Sequence, residues 1–188
     1  FSLADGLQAQ NVGVRLGTED SITSLDMAVL NAAFGRSMSG RIEGASGKVA
    51  NVPLLMENIE GDWDYKNGEF LADASLRVRD EQQVERFRPL VSNDVKLRFD
   101  GNDLSATGLL REPKTQTAVA AIDIVHALNN SEGRALIDMP SLMFTDRLQP
   151  EQLTPLTLGV IANVQGEISG NGRIDWDSSE NGIRSTGT

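Results

Sequence analysis

Val160 to Trp176, VIANVQGEISGNGRIDW, is the stretch of sequence that decides the fold class. Every even position is apolar or glycine, and every odd position after Ile161 is polar. Because side chains alternate across a β-strand, this period of two predicts a strand with one apolar face and one wet face. The glycine-rich run from Ser169 to Gly172 fits either a hairpin turn between two shorter strands or a bend in one long strand.

Composition limits the class of protein. The length of 188 residues fits a single β-rich unit, residues 1–188, and the start without methionine predicts a segment of a longer chain. The formal net charge of -10 argues against binding to nucleic acid and against electrostatic docking on anionic lipid. Since cysteine is absent, disulfides and thiolate metal sites are excluded. No apolar run is long enough to cross a membrane as a helix.

The clearest hairpin signal lies in the middle of the chain. Asn67-Gly68 separates two strand-like runs, and this dipeptide is typical of a tight β-turn. The returning strand places Phe70, Leu76 and Val78 on one face. Further on, Val95, Leu97 and Phe99 alternate with charged residues in the same way. These runs predict antiparallel neighbours with one apolar side.

Four segments need a separate interpretation. A change of phase near Gln10-Asn11 predicts a β-bulge. Ser21 to Phe34 fits both a helix and a strand, and we favour the strand because its surroundings are β. Short helical pieces are predicted near Gln82 to Phe87 and at Pro150 to Leu153, where a proline opens the first turn.

Strands at short intervals with turn signals between them predict an all-β, antiparallel fold with only short helices. Long strands with one apolar face need something to cover that face. One solution is a second sheet, which gives a β-sandwich. The other is an elongated sheet that curves into an open groove with an apolar lining. The pattern alone favours the sandwich.

Residues that could carry chemistry are sparse. His126 is the only histidine, and on an apolar strand face we interpret it as a structural residue. Asp62 and Asp64 flank Trp63 and therefore lie on the opposite face from it. No nucleophile elbow and no dinucleotide-binding glycine motif is present. The sequence predicts a protein that is not an enzyme and has no catalytic residue, no metal site and no cofactor.

Several runs of sequence resemble the YdbH-like proteins, large bacterial envelope proteins of the AsmA/TamB-type group that are also labelled "dicarboxylate transport". The resemblance spans Trp63 to Thr188. The runs that carry it are Arg86-Phe87-Arg88-Pro89-Leu90, Ile124-Val125-His126-Ala127-Leu128 with Gly133-Arg134-Ala135, Leu148 to Leu156, Leu158-Gly159-Val160, and Gly170 to Trp176.

The resemblance implies a periplasmic protein tethered to the inner membrane by an anchor outside this segment. It implies that stacked strands form a hydrophobic β-groove that conducts phospholipids between the inner and outer membranes. The implied partners are phospholipid acyl chains and a small outer-membrane lipoprotein. The alternative is a non-catalytic periplasmic or extracellular β-sandwich that serves as a binding or structural module.

The "dicarboxylate" label has no support in the residues, because Arg77, Arg79 and Arg98 lie on polar strand faces and do not converge. If the groove exists, its lining should come from the apolar faces of the predicted strands. The candidates are Phe70, Leu76, Val95, Leu97, Phe99, Val164, Ile168, Ile174 and Trp176.

Overall fold

The computed structural model describes residues 6–18, 21–34, 37–49, 52–130, 132–177 and 183–187. Within these ranges, eleven strands form one antiparallel sheet in which the spatial order follows the chain order. The strands are β1 (Leu7–Thr18), β2 (Ser21–Phe34), β3 (Met38–Lys48), β4 (Leu54–Lys66), β5 (Glu69–Asp80), β6 (Leu90–Phe99), β7 (Asp103–Arg111), β8 (Ala118–Ala127), β9 (Glu132–Phe144), β10 (Gly166–Trp176) and β11 (Ile183–Gly187).

This architecture confirms the predicted all-β fold and decides between its two forms. All described strands belong to one open sheet, so the sandwich, which needs two packed sheets, is excluded for this part of the chain. Ser21–Phe34 is strand β2, as predicted. Helical structure in the described ranges is limited to short 3-10 turns at Pro150–Gln152 and Pro155–Thr157.

The stretch that decides the fold class is a strand only from Gly166 onward. The glycine cluster lies inside β10 rather than in a hairpin, and its pairing with β9 shifts register between Ile168 and Gly170. Before Gly166 the backbone bonds locally: the N–H of Val160 donates to the Thr157 carbonyl at 3.1 Å. The prediction that Val160 already belongs to the strand is therefore wrong.

The predicted helical turn at Gln82 to Phe87 is also wrong. The buried carboxylate of Asp80 accepts hydrogen bonds from the backbone N–H of Gln82 at 3.1 Å and of Arg86 at 2.7 Å. The Arg86 guanidinium adds two further bonds to the same carboxylate, each 2.8 Å long. Because a side chain engages these backbone donors, they do not form the helical ladder.

The phase change near Gln10-Asn11 has a different form from the predicted bulge. Asn11 adopts a left-handed conformation with φ of 55°, yet the pairing of β1 with β2 continues without a register shift. The change of phase in β1 therefore coincides with the left-handed backbone of Asn11, and not with the extra residue that a β-bulge would insert.

A single cover segment, residues 145–165 between β9 and β10, folds back over part of the sheet. Leu148 is buried against Leu142 and Phe144, and Leu153 packs on a second cluster around Leu90. Three hydrogen bonds fix the segment to the β5–β6 connection: Arg88 N–H to the Leu153 carbonyl at 2.7 Å, Arg88 Nε to the Glu151 carbonyl at 3.1 Å and Thr154 Oγ1 to the Arg86 carbonyl at 2.6 Å.

Candidate functional site

Strand pairing assembles a continuous apolar row across the sheet. Residues directly opposite each other in an antiparallel pair share a face, so successive registers can be followed from strand to strand. We call the resulting set the central row and the side that bears it the apolar face. From β1 to β10 its members are Leu7, Ala32, Gly40, Trp63, Ala72, Leu97, Ala106, Ile124, Ala135 and Ile174.

The central row is apolar throughout, and from β4 onward it alternates in size. Bulky side chains lie on the even-numbered strands and alanines on the odd-numbered strands, as at Trp63, Ala72 and Leu97. Since neighbouring strands lie about 4.8 Å apart, the row extends roughly 43 Å from β1 to β10. It runs across the strands and not along any one of them.

A second row, the rim row, lies beside the central row on the same face and is rich in aromatic residues. Its members from β3 to β10 are Met38, Tyr65, Phe70, Phe99, Leu104, His126, Gly133 and Trp176. Its polar groups are the imidazole of His126 and the phenolic hydroxyl of Tyr65. The central and rim rows together give the apolar face a width of at least two side chains.

The opposite face is polar at the corresponding level, with the exception of Leu136 on β9. There the registers join Gln8, Asn31, Arg41, Asp62, Asp73, Lys96, Thr107, Asp123, Leu136 and Arg173. Ion pairs connect neighbouring strands on this face, with Arg41 to Asp62 at 3.1 Å and Lys96 to Asp73 at 3.8 Å. The sheet therefore separates an apolar side from a wet side over most of its length.

The registers bring most of the predicted groove residues together. Phe70, Phe99 and Trp176 lie in the rim row, while Leu97 and Ile174 lie in the central row. Val95 is buried and pairs with Ala74 on the same face. Contact of these residues with lipid stays a prediction.

The other three predicted groove residues, Leu76, Ile168 and Val164, lie outside the central and rim rows. Leu76 follows the phase of Phe70 along β5 and pairs with Ser92, and Ile168 pairs with Leu142 and keeps 47% of its surface exposed. Val164 is not on a strand. It belongs to the cover segment, packs on the cluster of Leu142, and its N–H donates to Gln149 Oε1 at 2.9 Å.

His126 is held inside the rim row. It is 2% exposed, and its Nδ1 accepts a hydrogen bond from Trp176 Nε1 at 3.1 Å. Burial lowers the pKa of His126, so the imidazole is kept neutral. The indole of Trp176 lies against Gly133, where an added Cβ would come within 2.4 Å of the ring.

Trp63, the second tryptophan on the apolar face, lies in the central row on β4. It is 7% exposed and stacks on Phe70 with ring centroids 5.6 Å apart. A Cβ at Gly40 on the neighbouring strand would lie 3.0 Å from the indole carbon Cε2. Unlike Trp176, its Nε1 has no hydrogen-bond partner among the described residues.

The sequence did not identify the central row as a unit. Ala106, Ile124 and Ala135 alternate correctly within their own strands, but their alignment depends on register. Register is set by turn lengths and bulges at several places, such as the shift between Ala74 and Leu76. The one signal in the sequence that could have indicated the row is an alanine on the apolar face of every second strand, as at Ala106 and Ala135.

The described residues contain no group of histidine, aspartate and glutamate side chains able to hold a metal ion. Over the same ranges, no helix has the length and apolar character needed to cross a bilayer. The geometry thus consists of a two-sided sheet whose apolar face offers contact surface rather than reactive groups.

Comparison with known proteins gives one result. The model of the YdbH-like family, described as intermembrane phospholipid transport protein YdbH, matches residues 2–186. The match reaches further toward the beginning of the chain than the runs that carry the resemblance in the sequence, and it confirms that resemblance. No curated protein and no solved structure matches the chain.

Proposed function

We propose that this chain, which belongs to the YdbH-like family, conducts phospholipids along its apolar face as one segment of a protein that spans the envelope between the inner and outer membranes. The family is one of lipid transport and not a family of enzymes. The observation that carries the proposal is the central row, which remains apolar across ten consecutive strands.

Acyl chains suit such a surface for a physical reason. Transfer of apolar area out of water is favourable by about 25 cal/mol per Å², and it needs no directional contact. A chain that moves along the central row exchanges one apolar neighbour for another of the same kind. Movement therefore meets no charged side chain in the row between Leu7 and Ile174.

The direction of the path follows from the rows. They cross the strands, so a lipid in contact with them travels from strand to strand between β1 and β10. Each added strand lengthens the path by roughly 4.8 Å. In this proposal the sheet serves as a β-groove. The rim row forms one side of the groove, and the opposite, polar face of the sheet is in contact with water.

The remaining parts of the proposal rest on the family. We place the segment in the periplasm, with an inner-membrane anchor outside it, and we take phospholipid acyl chains as its ligand. A small outer-membrane lipoprotein is the proposed protein partner. None of these roles requires a catalytic group or a cofactor in the segment.

Two adjacent residues of β7 provide a matched test of the groove. Ala106 belongs to the central row, and Thr107 belongs to the polar face. We expect Ala106→Asp to place a charge where an acyl chain passes, at a cost of several kcal/mol for the bound state. Thr107→Asp adds the same charge to the wet side. Phospholipid per protein is measured by native mass spectrometry after purification.

The expected result is a several-fold loss of phospholipid in Ala106→Asp and no loss in Thr107→Asp. Circular dichroism must show that both variants keep the β signal of the parent chain. Equal phospholipid content in the two folded variants would contradict the groove, and so would the absence of phospholipid from the parent chain.

A further inference from the structure

The cover segment carries a group of aliphatic side chains that stay exposed. We call Pro155 to Ile161 the tip of this segment. Its aliphatic side chains keep between 46% and 78% of their surface exposed, and they belong to Leu156, Leu158, Val160 and Ile161. Single exposed aliphatic residues are common on protein surfaces, whereas several together mark a surface that contacts a partner. The tip therefore needs an explanation as an interaction surface.

The residues on both sides of the tip hold it on the sheet. Leu153 and Val164 pack into the two buried clusters on which the cover segment rests. The hydroxyl of Thr154 donates to the Arg86 carbonyl at 2.6 Å and joins the segment to the β5–β6 connection. Because both flanks are anchored, the tip presents its exposed side chains from a fixed base.

The composition of the tip restricts the kind of partner. From Thr154 to Gln165 the chain contains no ionisable and no aromatic side chain. The nearest charges along the chain are the carboxylates of Glu151 and Glu167. Protein–protein interfaces are enriched in aromatic residues and arginine and use directed hydrogen bonds, which this surface does not supply. Leucine, isoleucine and valine are instead among the side chains most favoured in the hydrocarbon of a bilayer.

The polar groups of the tip suit the same environment, because several of them are bonded within the segment. An unbonded backbone N–H is unfavourable in an apolar layer, where water is not available as a partner. The N–H groups of Val160 and Ile161 both donate to the Thr157 carbonyl, at 3.1 and 3.2 Å. The N–H of Leu158 donates to a carbonyl three residues earlier at 3.1 Å. The Thr157 hydroxyl donates to the Thr154 carbonyl at 3.0 Å.

We infer that the tip inserts its aliphatic side chains into the surface of a phospholipid bilayer and so docks the chain on a membrane. The formal net charge of -10 opposes approach to an anionic surface, so the bilayer that fits has zwitterionic headgroups. Removal of apolar area from water drives the contact, which should therefore be insensitive to salt. Docking does not depend on conduction along the apolar face, because the central row lies on the strands and the tip does not.

A fluorescent label on the tip tests the docking. Since the chain has no cysteine, Val160→Cys and Lys66→Cys each provide one site for the environment-sensitive fluorophore nitrobenzoxadiazole. Lys66 is the control, because it is exposed and ends β4 at the opposite border of the sheet. Each labelled chain is mixed with phosphatidylcholine vesicles, and flotation recovers the bound chain. We expect a blue shift of the emission, and quenching by phosphatidylcholine brominated on its acyl chains, for the label at Val160 alone.

Two unlabelled variants separate docking from conduction. The double variant Leu158→Ser, Val160→Ser should lower the affinity for phosphatidylcholine vesicles about ten-fold or more, because it removes apolar area from the contact. Circular dichroism must show that it keeps the β signal of the parent chain. Ala106→Asp, which should empty the groove, should float with the vesicles as the parent chain does.

Several results would overturn the docking. They are the absence of a blue shift at Val160, an equal shift at Lys66, and binding that requires anionic lipid and is lost at high salt. Loss of flotation in folded Ala106→Asp would show that the vesicles bind through the groove instead. A blue shift that appears without vesicles and grows with chain concentration would assign the tip to a contact between two copies of the chain, and would overturn bilayer docking as well.

Discussion

Single residues on the apolar face show how tightly the strands approach each other. Trp63 and Trp176 each lie against a glycine of the adjacent strand, Gly40 and Gly133. The sequence shows that Trp63 and its flanking aspartates lie on opposite faces, and the registers agree. It cannot show the tryptophan–glycine contacts, because each joins residues far apart in the chain.

The first prediction at this scale concerns His126. Its folded-state pKa is lowered by burial, so the unfolded chain takes up a proton more readily below pH of about 6.5. The free energy of unfolding therefore keeps the contribution of neutral His126 above that pH and loses it as the pH falls below it. His126→Gln cannot titrate. Thermal melting at pH 7.5 and pH 5 should show a larger drop for the parent chain than for the variant.

The variant itself should be modestly less stable at pH 7.5, since the amide replaces a fitted imidazole beside Trp176. Its phospholipid content should match that of the parent chain. An identical pH slope in the two proteins would show that His126 does not titrate on unfolding.

The second prediction concerns Asp80. Its side-chain hydrogen bonds with Arg86 lower the pKa of Asp80 to about 2. Because this carboxyl group has a depressed pKa, its contribution is present above about pH 4 and is lost as the pH falls toward 2. We expect Asp80→Asn to cost roughly 2 kcal/mol at pH 7 and to cost little at pH 2.

Urea unfolding at the two pH values measures the effect of Asp80→Asn. Asp73→Asn is the control, because Asp73 is exposed and its pair with Lys96 is 3.8 Å long. A cost at pH 7 no larger than that of the control would refute the role of the buried carboxylate.

At the scale of elements, the sequence predicts strands well and connections poorly. The period of two survives in β10 and β5 because it depends only on which face is wet. The prediction of the connections is wrong for a specific reason: side chains such as Asp80 and Gln149 accept hydrogen bonds from the backbone N–H groups there. No local pattern reveals that Gln149 reaches Val164.

The cover segment gives a prediction at this scale. Leu148 is 2% exposed and packs on Leu142 and Phe144, whereas Leu156 in the same segment is 59% exposed. Leu148→Ala should cost about 2–5 kcal/mol, and Leu156→Ala should cost about 0.5 kcal/mol or less. Urea unfolding of both variants measures the difference. Equal costs would show that the segment does not bury Leu148 in solution.

At the scale of the whole molecule, the decisive property is that all described strands lie in one sheet. Local alternation predicts an apolar face but cannot say what covers it, which is why the sequence pattern alone favoured a sandwich. Register then decides how the faces of single strands combine. A slip of one residue between β7 and β8 would move Ile124 out of the central row. The family resemblance, and not the pattern, pointed to the open sheet.

The central claim is that phospholipid contacts the central row along the sheet, and site-specific photocrosslinking tests it most directly. A photoreactive amino acid is placed at Leu97 or Ile124 in the central row, and at the adjacent Lys96 or Asp123 on the polar face. After incubation with phospholipid vesicles and irradiation, mass spectrometry counts the phospholipid adducts. The account predicts adducts at Leu97 and Ile124 and none at Lys96 and Asp123. Adducts at equal frequency on both faces, or at none of the four positions, would contradict it.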